Sequence, residues 1–218
     1  MRPIEDLKDC GNSSLVVALT GDGKLEKKIL RALAQRHDGH DKALLLPTKA
    51  SPIGAERRRT GRFSGLSAFQ VIKTYVGKYR FSQYLFLLDI EHFSGNRTQE
   101  GLQSEISKAL NGFGFADQNI TQLNDHAYRV RCTLGLHRVR INTVLSGSDR
   151  RVEENISELL KLEHGLDIAP DKGAIQRALE QLGSNLHALL TSCCASNLSR
   201  AFSGLVAALQ DFENHNPL

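Results

Sequence analysis

No apolar run in this chain approaches the roughly 20 residues that a membrane helix needs. The longest, such as Tyr84 to Leu88 and Leu15 to Leu19, have the length of a strand. The first residues, Met1-Arg2-Pro3-Ile4-Glu5-Asp6-Leu7-Lys8-Asp9, mix charges, whereas a signal peptide has a basic start and a continuous apolar stretch. A cytoplasmic protein without a membrane partner is therefore expected. Cysteine is sparse: Cys10, Cys132, Cys193 and Cys194 form no CxxC pair, and adjacent cysteines close only a strained ring, so neither a zinc site nor a disulfide framework is expected. Cys193 and Cys194 read instead as small buried residues in helix packing. The eight histidines show no HxxxH or HExxH spacing, and no G-x-S-x-G elbow occurs, which leaves zinc-protease and hydrolase-triad chemistry without support. Repeats and low-complexity tracts are absent as well.

What the chain does contain is enough apolar material for a core. Its 218 residues are 40% hydrophobic, which suits one large domain or a domain with an appended subdomain. Leu15-Val16-Val17-Ala18-Leu19 stops at Thr20-Gly21-Asp22-Gly23, the pattern of a buried strand entering a tight turn. From Lys24 the apolar positions Leu25, Ile29, Leu30, Leu33 and Ala34 fall on one stripe of an amphipathic helix. A second buried strand follows at Ala43 to Leu46, a second helix spans Leu66 to Val76, and Tyr84 to Leu88 is the strongest strand signal. Strands without polar alternation, separated by helices, are buried on both faces, as in parallel sheets.

A helix from Thr98 to Leu110 is followed by two alternating segments, His126 to Thr133 and His137 to Leu145, joined around Gly135. That arrangement predicts a hairpin or neighbouring edge strands. Beyond Arg151 the chain reads as wholly helical, in segments Arg151 to Glu163, Lys172 to Leu182, Leu186 to Cys194 and Leu198 to Phe212. The expected fold is three-layer α/β with a mainly parallel, Rossmann-like sheet. Residues 1–148 would form the α/β core and 149–218 a C-terminal helical layer or cap.

In open parallel sheets, ligands collect beyond the carboxyl ends of the strands. Asp22 lies just past the first strand, and Asp89 and Glu91 lie at and just past the third. If those strands are neighbours, three carboxylates face one crevice, an oxygen-rich set suited to Mg²⁺ or Mn²⁺. The plainer reading makes Asp22 a turn or cap residue and Asp89 a loop cap. His92, next to Glu91, is either a surface histidine or a further ligand. Gly21-Asp22-Gly23-Lys24 falls short of a phosphate loop, because Gly21 is too close to Lys24 and Leu25 replaces the hydroxyl residue.

These residues resemble the Toprim domain of topoisomerases, primases and several nucleases. That family places Glu-Gly at the end of its first strand and Asp-x-Asp at the end of a later one, together binding a divalent metal. Gly21 matches the glycine, followed by a helix beginning Lys24-Leu25-Glu26, and Asp89-Ile90-Glu91 is similar to the Asp-x-Asp. The resemblance covers roughly Ser14 to Leu145, and Glu153 and Glu154 are similar to an acidic helix start in some small Toprim-like proteins. Thr20 stands where the family has its glutamate, with Asp22 two residues further on as the substitute. The resemblance implies a metal-dependent phosphodiesterase or nuclease with Asp22, Asp89 and Glu91 as catalytic metal ligands. Its alternative is a non-catalytic Toprim-fold subunit that binds nucleic acid or a protein partner in a larger assembly, with Thr20 marking the lost activity.

The basic residues point the same way. Lys49, Arg57, Arg58, Arg59 and Arg62 stand against only Glu56, so this one segment carries the whole net charge of +4. Arginine forks suit phosphate, and a solvated loop is the competing reading. Arg129 and Arg131 are two apart on one strand, and Arg138 and Arg140 two apart on the next, so each pair projects from one side, opposite Tyr128, Val130, Cys132, Val139 and Ile141. Four arginines on one surface require counter-charges: either phosphates of a nucleic acid, or internal acids such as Glu153, Glu154 or Glu158.

Overall fold

The computed structural model describes residues 1–20, 24–37, 41–47, 65–93, 97–149 and 151–214. Among these residues, seven strands form one sheet: β1 (Arg2–Ile4), β2 (Ser14–Thr20), β3 (Lys42–Leu45), β4 (Gln83–Asp89), β5 (Ala116–Asn124), β6 (Ala127–Leu134) and β7 (His137–Ser146). Their spatial order is β1-β3-β2-β4-β7-β6-β5. The first five in that order run parallel, and β6 turns back against both β7 and β5. The fold is the expected α/β arrangement with a mostly parallel sheet and C-terminal helices.

Strand β2 illustrates why alternation is missing. Val16 and Ala18 enter one buried cluster while Val17 and Leu19 enter the other, on the opposite face. The first face is covered by α1 (Lys24–Arg36) and by the C-terminal helices α4 (Val152–His164), α5 (Lys172–Gln181), α6 (Leu186–Ser192), α7 (Ala195–Ala201) and α8 (Ser203–Asn214). The second face carries α2 (Phe69–Tyr79) and α3 (Gln99–Gly112). Among the described residues, no helix is long and apolar enough to cross a membrane.

The hairpin expected around Gly135 is β6–β7, with Leu134 opposite His137 and Gly135 at a φ of +59° in the turn. Two strands have no signature in the sequence. β1 is three residues long and holds Pro3, which an edge tolerates because that side of the strand need not donate to a neighbour. β5 carries Asp117, Gln118, Asn119, Thr121, Gln122 and Asn124 with register shifts along its pairing, so polar residues fall on both faces and erase the period of two. The single helix expected over Leu198–Phe212 is broken at Phe202. There the Asn155 side chain donates to the Ala201 carbonyl at 2.7 Å, and Gly204 lies so close to His126 that an added Cβ would sit 2.8 Å from its carbonyl oxygen.

Helix α8 is fastened to the sheet by a buried polar network. The Asp211 carboxylate accepts hydrogen bonds from Arg140, from Arg129 at 3.0 Å and from Asn142 at 2.9 Å, while Arg140 also donates to the Asp211 carbonyl at 2.8 Å. Arg140 is 1% exposed, and its guanidinium lies 4.7 Å from the centre of the Phe212 ring. Lys42, also buried, donates to the Glu213 carbonyl at 3.1 Å, placing a second cation at the negative end of this helix. Burial pushes the Asp211 carboxyl up, but the hydrogen bond and charge of Arg140, with Asn142 and Arg129, more than offset it and hold the group below its ordinary range. Removing one partner of a buried pair strands the other charge, so Asp211→Ala should cost about 3–5 kcal/mol in urea unfolding. Arg131→Ala, on the same strand but exposed, should change stability by less than about 0.5 kcal/mol.

Candidate metal centre

Strand β4 is buried along its length and delivers Asp89, half-buried, at its carboxyl end. The chain then makes a one-turn 3-10 segment, Ile90–His92. Ile90 and Phe93 are buried and anchor this turn, which leaves Glu91 and His92 on the solvent side. Asp89, Glu91 and His92 each offer a ligand atom within 4.8 Å of the others, a group able to hold a metal ion. His92 is packed closely by Gly65, whose φ is +55° and where an added Cβ would lie 3.0 Å from the His92 Cβ. A side chain at position 65 would therefore both strain the backbone and displace His92.

The start of α4 closes over the same edge. Asp89 Oδ1 accepts from the Val152 backbone N–H at 3.0 Å, and Arg151 Nε donates to Glu91 Oε2 at 3.3 Å. Burial pushes the Asp89 carboxyl up to about 6; the Val152 hydrogen bond opposes this, the charges of Glu26 and Glu153 reinforce it, and that of His92 opposes it. Glu153 is itself 5% exposed, with the Lys172 ammonium 3.6 Å away. Glu26 in the first turn of α1, Asp89 at the end of β4 with Glu91 in the turn that follows, and Glu153 in the first turn of α4 bring acidic groups together from separate parts of the chain. Local sequence marked Glu153 as part of an acidic helix start and as a candidate partner of the strand arginines, and Glu26 as part of a helix opening; neither pointed to Asp89, because their convergence on it depends on how α1 and α4 cross the strand ends.

The neighbouring strand arrangement expected for the site is present: β2 pairs with β4, and Thr20, buried at the end of β2, lies opposite Leu87. Asp22 lies outside the described residues, as do Arg57, Arg58, Arg59 and Arg62. The four strand arginines divide into two kinds. Arg140 and Arg129 face α8, and the counter-charge they meet is Asp211 rather than the α4 glutamates offered by the sequence. Burial of Arg140 withdraws it from any solvent-borne ligand. Arg131 and Arg138 are exposed, and among the described residues no salt bridge holds either. Arg138 is at the start of β7, whereas Ser146 at its end is the residue opposite Asp89. At roughly 3.3 Å per residue, Arg138 is about 26 Å and Arg131, which stands opposite Arg140, about 20 Å from the acidic cluster along the strands, too far to share one phosphate with it.

No family model matches the chain, and no solved structure matches it.

The raised Asp89 carboxyl has a defined sign. A native group that holds its proton more tightly than the unfolded chain stabilises the fold fully below the ordinary value of 3.8, and that contribution is lost as pH rises through about 6. Asp89→Asn keeps an oxygen to accept from Val152 and removes the ionisation. Its melting temperature relative to the natural protein should therefore rise between pH 4 and pH 7, by about 2–4 °C after allowance for solvent screening. A difference that stays flat across this range in differential scanning calorimetry would show that Asp89 ionises without cost in the native protein.

Proposed function

We propose that this is a Toprim-like, phosphate-handling protein that binds a divalent cation at the carboxyl end of β4 and acts on nucleic acid as a metal-dependent phosphodiesterase. The observation that carries this reading is the convergence of Asp89, Glu91 and His92 within 4.8 Å of one another at the strand ends of a parallel sheet, where α/β folds gather ligands. Two carboxylates and one imidazole fit Mn²⁺ better than Mg²⁺, which prefers oxygen alone. Asp22, two residues beyond β2 in the sequence, is the proposed further carboxylate ligand. A bound cation would supply Lewis-acid polarisation of a phosphoryl oxygen and a more acidic water. The protein's own residues set the conditions for it: Asp89 must surrender its proton, and Glu26 and Glu153 supply negative charge that favours a cation over the bare carboxylates. Arg131 and Arg138 supply a separate, exposed contact for backbone phosphates.

A second reading has its own support. Asp89 already accepts from Val152, Glu91 already accepts from Arg151, and Thr20 stands where the Toprim resemblance places a glutamate. A non-catalytic nucleic-acid-binding or protein-binding subunit of the same fold would keep these internal contacts and need no ion.

Calorimetric titration with Mn²⁺ separates the two. The metal reading expects binding by the natural protein, at least tenfold weaker binding by Asp89→Asn, about 1.4 kcal/mol or more, and proton release on binding near pH 6. Cleavage of a labelled oligonucleotide that requires Mn²⁺ and disappears with Asp89→Asn supports the enzyme. Equal Mn²⁺ binding by both proteins, or none by either, removes the metal site and leaves the non-catalytic subunit. The arginine contact is tested separately with Arg131→Ala/Arg138→Ala. Oligonucleotide affinity should fall irrespective of sequence and lose about one unit of salt slope per arginine, with an unchanged melting temperature. Unaltered affinity and slope would end the claim that this surface meets nucleic acid.

A further inference from the structure

A cavity of about 340 Å³ lies beside α4, at the end of β7 and under the break between α7 and α8. Its volume falls at the lower end of small-molecule sites, which run from about 300 to 1,000 Å³. Leu87, Val144, Phe202 and Leu205 give it apolar walls. Its charged lining residues are of both signs, and most are committed to the protein itself. Glu154 accepts from the Ser148 and Asp149 backbone N–H groups at 2.7 and 2.8 Å and from the Ser148 hydroxyl at 3.0 Å. Lys161 pairs with Asp167 at 3.4 Å.

Two charges are left over, Glu158 on α4 and Arg200 on α7. Both are exposed, and among the described residues neither forms a salt bridge. One free anion and one free cation thus stand on different helices around an apolar pocket. A phosphate or other net anion would be attracted by Arg200 but repelled by Glu158, and a net cation the reverse. A molecule bearing an ammonium, a carboxylate and an apolar group satisfies all three surfaces together.

We propose that this cavity binds a free amino acid with an apolar side chain, its ammonium on Glu158, its carboxylate on Arg200 and its side chain against Phe202 and Leu205. This pocket is separate from the acidic cluster at Asp89, and the inference does not depend on the function proposed for that cluster.

The test is calorimetry of the whole chain with L-leucine, leucinamide, which keeps only the ammonium, and isocaproate, which keeps only the carboxylate. Leucine should bind at millimolar concentration or tighter, and each analogue at least about fivefold more weakly. Glu158→Gln should weaken leucine at least about threefold and leave isocaproate unaffected, while Arg200→Gln should weaken leucine and leave leucinamide unaffected, the pattern of a pairwise cycle. Both positions are exposed, so melting temperatures should match the natural protein. The analogue series on the natural protein decides the matter even if a variant fails to fold. Absence of leucine binding up to about 20 mM, or analogues that bind as tightly as leucine, would overturn the proposal.

Discussion

The buried carboxylate of Asp211 is the interaction on which the arrangement of this protein's helical layer depends. Arg140 sits in a strand interior with almost no exposure, a location in which an unpaired guanidinium would be strongly destabilising. Asp211 neutralises it, and the remaining lone pairs are used by Arg129 and Asn142. A buried pair of this kind need not be more stabilising than a well-packed apolar cluster, but it is much less tolerant of displacement. Here it specifies one register for α8 against β6 and β7.

The carboxyl edge of the sheet has a different character, because acidic groups from several parts of the chain gather there. Asp89, Glu91, Glu26 and Glu153 bring negative charge together there, with Arg151, Lys172 and His92 as compensation. The Asp89 carboxylate, through its Oδ1, accepts from the first turn of α4. Ion binding and the capping of α4 are therefore coupled: whichever partner Asp89 serves, the other must share it or move.

Separation of the exposed arginines from that edge shapes what a nucleic acid would encounter. Arg131 and Arg138 lie at one end of the hairpin and the acidic cluster at the other end of the neighbouring strand. A ligand that used both would run along the sheet, its backbone held remotely while a different phosphate approached the carboxylates. Under the proposed function, phosphate contact and metal chemistry would fall to residues that can be altered independently.

Much of the architecture was legible locally. Continuous apolar runs at Leu15–Leu19, Ala43–Leu46 and Tyr84–Leu88 state by themselves that those strands are buried on both faces, and hence that the sheet is largely parallel. The position of Asp89 and Glu91 past the strongest of these strands was readable in the same way, as was the arginine-bearing hairpin. β1 and β5 were not, since three residues with a proline and nine residues with polar groups on both faces have no period to detect. Nor was the partner of Arg140, which is 71 residues away in the chain, nor the approach of Glu26 and Glu153 to Asp89. Periodicity reports what each segment must bury against something, because that requirement is set within a few neighbouring side chains. Which charge meets which is decided only when distant helices pack across the sheet, where the cost of an unpaired buried ion selects a single arrangement.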